Sequence, residues 1–504
     1  MKNYFLPTIV AALLVNIARA ATYNVNTIED LVNAIGWCND GDYGAGDVIN
    51  LAEGVYDVES LIEVNKKALR IVGAGKGKTI LDGGYSADSD RTNGIFNVTK
   101  ESVVISGITF RNASRGLKDG GAIYINSNNY RFEVVDCVFS NCHAKAGGGI
   151  ASSHYYTGHH AQDEGYFPPR GDMGVISGCD FINCEAHGIQ TVHGGDNGGG
   201  AVLGGFWIEN STFDSCVAYG YASMVFTDQH MMVTNCTFSN CPNVTEHPRG
   251  GIYLNRSACE LRILDCTFSG TTCSPLLART SNSAFVDRCI FTNCAGETTD
   301  SADKLVRLSG RGYFRNCLIQ GNQNPFSLTS ESFENCTIAG NVGGFCIAAQ
   351  NGGQISAAFT NCVIASNSGW DCSGYSKGGA GIYWSATPVE ANVYAGMKVA
   401  NCAFEGVAYL SEVIGLDASG ATERISREVD VKGPRFRDAA NGDFSLKGYS
   451  PLVDVGVKAD WMNSSCDLAG NKRCLKRGLV SEDALPDVGC YEFYTVAGFK
   501  ISLR

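Results

Sequence analysis

The sequence is poor in basic residues: 39 Lys and Arg stand against 51 Asp and Glu, and the formal net charge is −12 over 504 residues. Because phosphate binding needs a clustered basic surface, this balance argues against a nucleic-acid partner. Proline is also rare, with 11 residues, whereas glycine is abundant, with 61. Many Phe, Tyr, Val, Ile and Thr residues accompany the glycines, and such a composition favours β structure with many turns.

No segment after the first residues approaches the roughly 18–20 apolar residues that a membrane-spanning helix needs. The first residues have the pattern of a secretory signal, with Lys2, an apolar stretch over 4–15 and the small-residue sequence Ala18-Arg19-Ala20. We therefore predict a signal peptide over residues 1–20. We expect a monomer that is secreted to the extracellular side or held at the cell surface, without a transmembrane segment after the signal peptide.

A short pattern recurs from residue 108 onwards: an apolar residue, any residue, an aromatic residue or Ile, two further residues, and then Cys or Asn. Its copies begin at Ile108, Cys137, Cys179, Ser211, Cys236, Cys266, Cys289, Cys317, Cys336, Cys362 and Cys402. Successive copies are 19 to 42 residues apart, so we interpret each one as a coil of a solenoid with loops of varying length. Positions one and three share a strand face, which predicts that both point into the core.

Position six of the pattern changes along the chain. It is Cys142, Cys184, Cys216, Cys241 and Cys294 in earlier copies, and Asn322, Asn341 and Asn367 in later ones. Stacked asparagines at the turns of successive coils can satisfy backbone groups and their own amides together. The sequence therefore predicts a buried asparagine ladder that cysteine partly replaces.

Glycine-rich segments lie between the copies. They begin at Gly120, Gly147, Gly199, Gly250 and Gly378. Paired glycines allow a positive φ at a sharp corner before an apolar strand. The alternation of these segments with the recurring pattern, over about residues 100–410, resembles the repeats of polymorphic outer-membrane proteins and the coils of the pectate-lyase-like superfamily.

This resemblance implies an all-β fold, a right-handed parallel β-helix (solenoid). We divide the chain into an N-terminal cap with the first coils over 21–100, β-helix repeats over 101–410 and a C-terminal non-repeat block over 411–504. In the cap, Thr27 is placed to begin a short amphipathic helix. The C-terminal block carries the segments DFSLKGYSPLVDVG, DLAGNKR and DVGCYE, whose Asp and Gly residues we interpret as turn residues rather than catalytic acids.

The 22 cysteines would fit a disulfide framework in an exported protein. Equivalent residues of adjacent coils lie about 4.8 Å apart, within reach of a disulfide. The alternative, which we favour, is a ladder of buried free thiols, because Ile108 and Ala113 occupy the same positions in the first copy. A disulfide is better placed among Cys466, Cys474 and Cys490, where only one pair can form. Cysteine spacing does not indicate a zinc site.

A long insertion between Cys142 and Cys179 is one candidate for chemistry. It contains His159, His160, Asp163 and Glu164, and all eight histidines of the chain fall between His143 and His247. Such a cluster could build a proton-transfer or metal site. The alternative is a solvated loop without a catalytic role.

Three arginines suggest a binding surface. Arg256, Arg279 and Arg307 each stand ten residues before a cysteine that begins a copy of the pattern. Equal spacing predicts that they form one column, which would suit bidentate contacts to a polyanionic chain. The alternative is that they extend into water or pair with acidic residues of neighbouring coils.

The resemblance to the pectate-lyase-like group implies cleavage of acidic polysaccharides by β-elimination, with calcium as the cofactor if the protein is a lyase. No local stretch matches a lyase signature, and the NxD, DD and GHG motifs of related hydrolases do not occur together, so no catalytic residue is carried over. We predict a protein that binds, and as a further hypothesis cleaves, an acidic polysaccharide or cell-surface glycan. The alternative is a non-catalytic adhesin-like surface protein. The fold alone does not decide between them.

Overall fold

The structure is a computed structural model. It describes residues 20–40, 46–86, 89, 91–126, 131–153, 167–188, 198–219, 224–241, 249–255, 259–272, 274–278, 284–295, 306–308, 312–323, 326–328, 331–342, 345–347, 358–367, 382–384, 398–404, 433–476, 479–480 and 484–494. The predicted signal peptide, apart from Ala20, lies outside these residues. Among the described residues, no helix has the length and apolar character needed to cross a membrane.

The described part of the chain forms three long parallel sheets, and each coil, apart from those at the ends, contributes one strand to each sheet in turn. Sheet 1 has 14 strands: Thr22–Val25, Val48–Leu51, Arg70–Val72, Val103–Ser106, Phe132–Val135, Gly174–Ser177, Phe206–Glu209, Met231–Thr234, Leu261–Leu264, Ala284–Asp287, Gly312–Arg315, Ser332–Glu334, Ala358–Thr360 and Lys398–Ala400. Sheet 2 has 13 strands: Gly54–Asp57, Thr79–Asp82, Thr109–Arg111, Val138–Ser140, Asp180–Ile182, Thr212–Asp214, Thr237–Ser239, Thr267–Ser269, Ile290–Thr292, Leu318–Gln320, Thr337–Ala339, Val363–Ala365 and Ala403–Phe404. Sheet 3 has 12 strands: Ile62–Val64, Phe96–Val98, Ile123–Ile125, Ile150–Ser152, Val202–Leu203, Val225–Thr227, Arg249–Leu254, Ser274–Ala278, Val306–Leu308, Phe326–Leu328, Phe345–Ile347 and Ile382–Trp384. The predicted parallel β-helix is therefore confirmed.

Smaller elements complete the described part of the chain. A fourth sheet has three short parallel strands, His143–Ala144, Glu185–Ala186 and Val217–Ala218. Two antiparallel pairs lie in the C-terminal block, Phe436–Asp438 with Asp443–Leu446 and Leu475–Lys476 with Leu479–Val480. The helices are the α-helix Ile28–Asp40 and the 3₁₀ turns Arg170–Asp172, Ala439–Asn441 and Asp460–Asn463.

The recurring sequence pattern sets the register of sheet 2. Position three of successive copies is paired across neighbouring strands from Phe110 to Phe404. Seven of these residues are phenylalanines whose rings follow one another at centroid distances of 4.7–5.0 Å, namely Phe110, Phe139, Phe181, Phe213, Phe238, Phe268 and Phe291. The prediction that this position points into the core is confirmed, because all seven rings are fully buried.

Two further sets of equivalent residues lie at the corners where the chain turns in each coil. The sequence pattern did not reveal them. The residue at position five and the residue just before position one adopt left-handed backbone conformations, as at Asn141 (φ 52°) and Asp136 (φ 51°). Asparagine and aspartate tolerate this region better than other residues with a side chain. This explains why Asn, Ser and Gly recur at position five and why Asn, Asp and Gly recur before position one, where Arg288 is an exception.

The predicted asparagine ladder is present at position six. The Asn341 side chain donates to Asn367 Oδ1 and to the carbonyl oxygen of Ile319, both at 3.0 Å, while its own oxygen accepts from the amide nitrogen and Nδ2 of Asn322. Asn322 and Asn341 are fully buried. The ladder therefore pairs buried polar groups from one coil to the next.

The N-terminal helix begins as predicted at Thr27, whose Oγ1 accepts the amide hydrogen of Asp30 at 3.1 Å. The apolar face of the helix buries Leu31, Ala34 and Ile35 in the same core as the first coils. This burial shields apolar side chains that the first coil would otherwise expose.

The described cysteines are free thiols, which confirms the expectation for the stacked cysteines of the repeats. Burial raises the pKa of the Cys142 and Cys184 thiols well above the ordinary value, so both are inert fillers rather than nucleophiles. The disulfide predicted among Cys466, Cys474 and Cys490 does not form. Cys490 is buried against the repeats, where its amide donates to Thr337 Oγ1, whereas Cys466 and Cys474 are half-exposed.

The C-terminal block is attached to the later coils through the left-handed asparagines that precede position one. Asn335, Asn361 and Asn401 donate from Nδ2 to the carbonyl oxygens of Asp487, Val457 and Val455 at 2.7–2.9 Å. The asparagines that form one corner of these coils therefore also hold the C-terminal block in place.

A buried ionic network lies at the centre of this contact. Arg473 and Glu492 form a fully buried ion pair with 2.9 Å between Nη1 and Oε1. Arg473 also donates to Asn316 Oδ1 from Nε and Nη2. Asp487 lies beside the pair and accepts the amide hydrogens of Asp454 and Phe493. The interpretation of the C-terminal acids as structural residues fits these contacts.

The network predicts a pH dependence for the C-terminal block. Burial, together with repulsion from Glu492, raises the pKa of Asp487 to about 8. The folded state then keeps a proton that the unfolded chain releases above a pH of about 4, so stability falls as the pH rises from about 4 to 8. Amide hydrogen exchange in residues 433–476 should therefore be faster at pH 8 than at pH 5, after correction for the intrinsic rates.

The variant Asp487→Asn, which cannot ionise, is the control and should show a flatter dependence on pH. Equal or greater protection at pH 8 in the unaltered protein would contradict the assignment.

Candidate functional site

The outer face of sheet 1 presents two rows of side chains that run along the helix axis. Strand register places Glu133, Val175, Trp207, Met232, Arg262, Phe285 and Tyr313 in the first row. It places Ser177, Glu209, Thr234, Leu264, Asp287, Arg315 and Glu334 in the second. Residues between the rows, such as Ile208 and Ile263, are fully buried. Alternation along each strand therefore separates the core from this outer face, on which Val175 and Met232 are themselves buried.

Arg262 lies at the centre of the outer face and is held from three sides. Its Nε donates to Glu260 Oε1 at 2.6 Å. Its guanidinium carbon lies 4.2 Å from the ring centroid of Phe167 and 5.8 Å from that of Phe285. The Arg262 side chain is 36% exposed while that of Glu260 is only 10% exposed. The cation is therefore fixed in direction and still faces solvent.

The segment that follows the long insertion helps to form this arrangement. Phe167 leads into the 3₁₀ turn Arg170–Asp172, and its ring meets the buried His230 edge to face at 5.7 Å. His230 Nδ1 accepts the amide hydrogen of Glu260 at 3.1 Å, which fixes the backbone next to Arg262. The insertion therefore returns to the coil across the outer face of sheet 1.

A second arginine lies beside the tryptophan of the first row. Arg170 donates to both carboxylate oxygens of Glu209, at 2.8 and 3.3 Å, and Trp207 Nε1 donates to the same carboxylate at 2.9 Å. Burial opposes ionisation of Glu209, but the hydrogen bond and charge of Arg170 outweigh it and lower the pKa of the carboxyl. At neutral pH this pair is therefore ionised next to a half-exposed indole ring.

A cleft of about 580 Å³ continues the surface towards the C-terminal block. It lies between Arg315 and Arg288 of the coils and Trp461 of the block. The Arg315 guanidinium lies 4.9 Å from the Trp461 ring centroid, and its Nε donates to Glu334 Oε2 at 3.0 Å. Arg315 and Trp461 therefore form a second arginine–aromatic pair, at the end of the outer face that lies nearest the C-terminal block.

The structure describes only one of the site residues predicted from sequence. His159, His160, Asp163, Glu164, Arg256 and Arg279 lie outside the described residues. Arg307 lies in a strand of sheet 3, level with Leu277 and through it with Tyr253. The predicted column of Arg256, Arg279 and Arg307, and its binding role, therefore stay a prediction.

The length of chain between sheet 3 and sheet 1 is not constant. Neighbouring strands of sheet 3 pair Leu254, Ala278 and Leu308, and neighbouring strands of sheet 1 pair Leu261, Ala284 and Gly312. The chain from each residue of the first set to the next residue of the second set becomes shorter from coil to coil. A fixed spacing before the cysteine therefore does not give a fixed register in sheet 3.

The aromatic and arginine residues on the outer face of sheet 1 were missed by the sequence reasoning. The signal was present, because Trp207, Arg262, Phe285 and Tyr313 each stand four residues before a copy of the pattern. That position lies one strand earlier in the coil and points outward. An alignment of all positions, rather than of cysteine and arginine alone, would have placed them in one row.

One group of described residues has the composition and spacing to hold a metal ion. His143, Glu185 and His187 bring three ligand atoms within 4.8 Å of one another. Hydrogen bonds from His143 and His187 lower the pKa of Glu185 to about 2. The group belongs to the fourth sheet and not to the outer face of sheet 1.

Comparison with known proteins supports the architecture. A family model described as a right-handed β-helix region matches residues 224–404. No curated protein matches the chain.

Similar solved structures include two lyases and an adhesin. The alginate lyase AlyGC of polysaccharide lyase family 6 is 14% identical with a TM-score of 0.46, over 89% of this chain and 60% of that one. A mannuronic acid-specific family 6 lyase from human gut microbiota is 10% identical with a TM-score of 0.39, over 82% and 92%. The surface adhesin PfbA of Streptococcus pneumoniae is 13% identical with a TM-score of 0.32, over 71% and 89%. This chain thus spans about 60% of the length of AlyGC, and its activity has to be argued from its own side chains.

Proposed function

We propose that this protein binds an acidic polysaccharide along the outer face of sheet 1, outside the cell or at its surface. The observation that carries the proposal is Arg262, a partly exposed cation held between two aromatic rings by a nearly buried carboxylate. Holding a cation in this way fixes its direction before a ligand arrives, which reduces the entropy lost on binding.

The chemistry of the face suits sugars that carry carboxylate or sulfate groups. Among the described residues, the hydrogen-bond partner of Arg262 takes only its Nε–H, so both terminal NH₂ groups can meet an anion. Half-exposed rings such as Trp207 and Tyr313 offer flat apolar surfaces to the faces of sugar rings. The face therefore combines charge recognition with stacking.

The linear order of the face suits a chain rather than a small ligand. Trp207, Arg262 and Tyr313 stand on every second strand along sheet 1, with the buried Met232 and the partly exposed Phe285 on the strands between them. Neighbouring strands are about 4.8 Å apart, so the row from Trp207 to Tyr313 extends over roughly 19 Å. An extended polymer can contact several of these side chains at once.

Replacing Arg262 tests the binding site. Arg262→Ala should weaken binding to uronate-containing or sulfated polysaccharides by about 10- to 100-fold, because it removes charged hydrogen bonds worth about 1.5–3 kcal/mol. Affinity electrophoresis or titration calorimetry measures the change. A neutral polysaccharide is expected to bind weakly to both proteins.

Arg111 offers a matched control on another sheet. Its Nε donates to Asp82 Oδ2 at 2.7 Å and its side chain is 39% exposed, so Arg111→Ala removes a similar ion pair away from sheet 1. Its affinity should be unchanged. Equal losses in both variants, or no binding to any acidic polysaccharide, would overturn the proposal.

Cleavage by β-elimination is a further part of the proposal, with calcium supplied in the assay. A lyase would create unsaturated chain ends, which are detected by their ultraviolet absorbance. Retained binding without new unsaturated ends would instead favour the non-catalytic, adhesin-like function.

A further inference from the structure

Two histidines and a glutamate meet on the surface of the fourth sheet, between sheets 2 and 3. His143 is paired with Glu185 across neighbouring strands, and His187 follows Glu185 by two residues. Residues two apart on an extended chain face the same side, so all three side chains lie on the outer surface. The intervening Ala144 and Ala186 are buried.

The three ligand atoms form a nearly regular triangle. His143 Nδ1 lies 3.3 Å from His187 Nε2 and 3.5 Å from Glu185 Oε2, and His187 Nε2 lies 2.9 Å from the same oxygen. A tetrahedral zinc ion with bonds of about 2.0–2.1 Å separates its ligands by about 3.3 Å. The spacing is therefore that of three ligands around one ion.

Hydrogen bonds do not satisfy all three contacts of this triangle at once. Glu185 Oε2 can accept a hydrogen from each ring nitrogen, but the two nitrogens, 3.3 Å apart, then face each other with a hydrogen on both. A metal ion would accept a lone pair from each of the three atoms.

The surroundings hold the imidazole rings in place. The Tyr85 ring lies against His143 and the Tyr219 ring is stacked on His187, both at 4.8 Å between centroids. The backbone is fixed as well, because the amide hydrogens of Glu185 and His187 are donated to carbonyl oxygens of the preceding coil at 2.8 Å. Such support keeps the ligands close to the geometry needed for binding.

We propose that His143 Nδ1, Glu185 Oε2 and His187 Nε2 bind a divalent transition metal ion, with zinc as the best match, and leave a fourth position open. Two imidazoles and one carboxylate suit zinc rather than calcium, which takes six to eight oxygen ligands. Three protein ligands with one open position are typical of zinc sites where water or a ligand group binds to the metal. The site is separate from the polysaccharide surface on sheet 1.

Metal titration of the full chain tests the proposal. The unaltered protein should bind one more zinc ion per molecule than His143→Ala, His187→Ala or Glu185→Gln. The same zinc addition should raise the thermal unfolding midpoint of the unaltered protein and not that of the three variants, since a ligand of the folded state stabilises it. Calcium should give no comparable equivalent at this site.

Cobalt provides an independent readout of the ligand type. Cobalt bound at this site should show visible absorption bands without the strong near-ultraviolet band that thiolate ligands give, which separates the site from the cysteines. The three variants should lose these visible bands. The exposed Glu53 serves as the control, and Glu53→Gln should bind as the unaltered protein does.

Unchanged zinc stoichiometry in the three ligand variants would overturn the proposal. Each variant should keep its metal-free unfolding midpoint, because the ligands are on the outer surface. If that midpoint falls, His143→Gln is the second variant to test, because it keeps a polar side chain of similar size. A His143→Gln variant that still binds the additional zinc ion would also overturn the proposal. Polysaccharide affinity measured without metal is expected to stay unchanged throughout.

Discussion

Replacing Arg473 by methionine should lower the free energy of unfolding by about 3–5 kcal/mol, because breaking a buried ion pair leaves the partner charge uncompensated. Glu492 is fully buried, as is the arginine. Asn316 Oδ1 would lose two donors at the same time, since Arg473 Nε and Nη2 both bond to it. Urea unfolding followed by circular dichroism and by tryptophan fluorescence measures the loss.

A double-mutant cycle separates the ion pair from general packing. Arg473→Met together with Glu492→Leu should cost less than the sum of the two single changes, because neither charge is then left alone. The exposed Arg437 is the control, and Arg437→Met should change the free energy of unfolding by no more than about 0.5 kcal/mol. Strict additivity in the cycle would show that the two side chains do not act as a pair.

Replacing Asn341 by leucine should also cost about 3–5 kcal/mol, since at least two buried polar groups lose their partners at about 1–3 kcal/mol each. The Nδ2 group of Asn322 and the carbonyl oxygen of Ile319 are bonded to Asn341. Leucine has a similar volume but no polar atom, so the change removes hydrogen bonds rather than packing. The free energy of unfolding in urea is again the measurement.

The neighbouring Val342 provides the control for this substitution. It is 52% exposed, and Val342→Ala should change stability by no more than about 0.5 kcal/mol. A loss below about 1 kcal/mol for Asn341→Leu would mean that the ladder does little for the stability of the later coils.

Much of the fold could be predicted because the same constraint recurs in every coil. A residue such as Phe213 is apolar, enters the core and pairs with its equivalents on both sides, so the repeat shows in the sequence as periodic residues. The asparagine ladder could be predicted for the same reason, since position six has the same neighbours in each coil. The left-handed corners were missed because Asn, Asp, Ser and Gly all satisfy them and no single residue marks the column.

The neighbours that hold Arg262 do not repeat along the chain. Arg262 is defined by Phe167, which enters from an irregular insertion, and by Glu260 two residues away. The predicted column of Arg256, Arg279 and Arg307 stays a prediction, and the number of residues between sheet 3 and sheet 1 differs from coil to coil. Spacing along the chain gives spatial neighbours only where the connecting turns are constant.

The sequence by itself determined the solenoid, the residues that face its core and the change from cysteine to asparagine at position six. It could do so because equivalent residues of neighbouring coils are stacked, so residues that recur along the sequence contact one another. Only the tertiary structure decided which exposed side chains meet. Arg473 reaches Asn316 across 157 residues, and Phe167 of the insertion reaches Arg262. Such pairs depend on how insertions and the C-terminal block return to the coils, and this is set by burial and charge pairing in three dimensions rather than by any period in the chain.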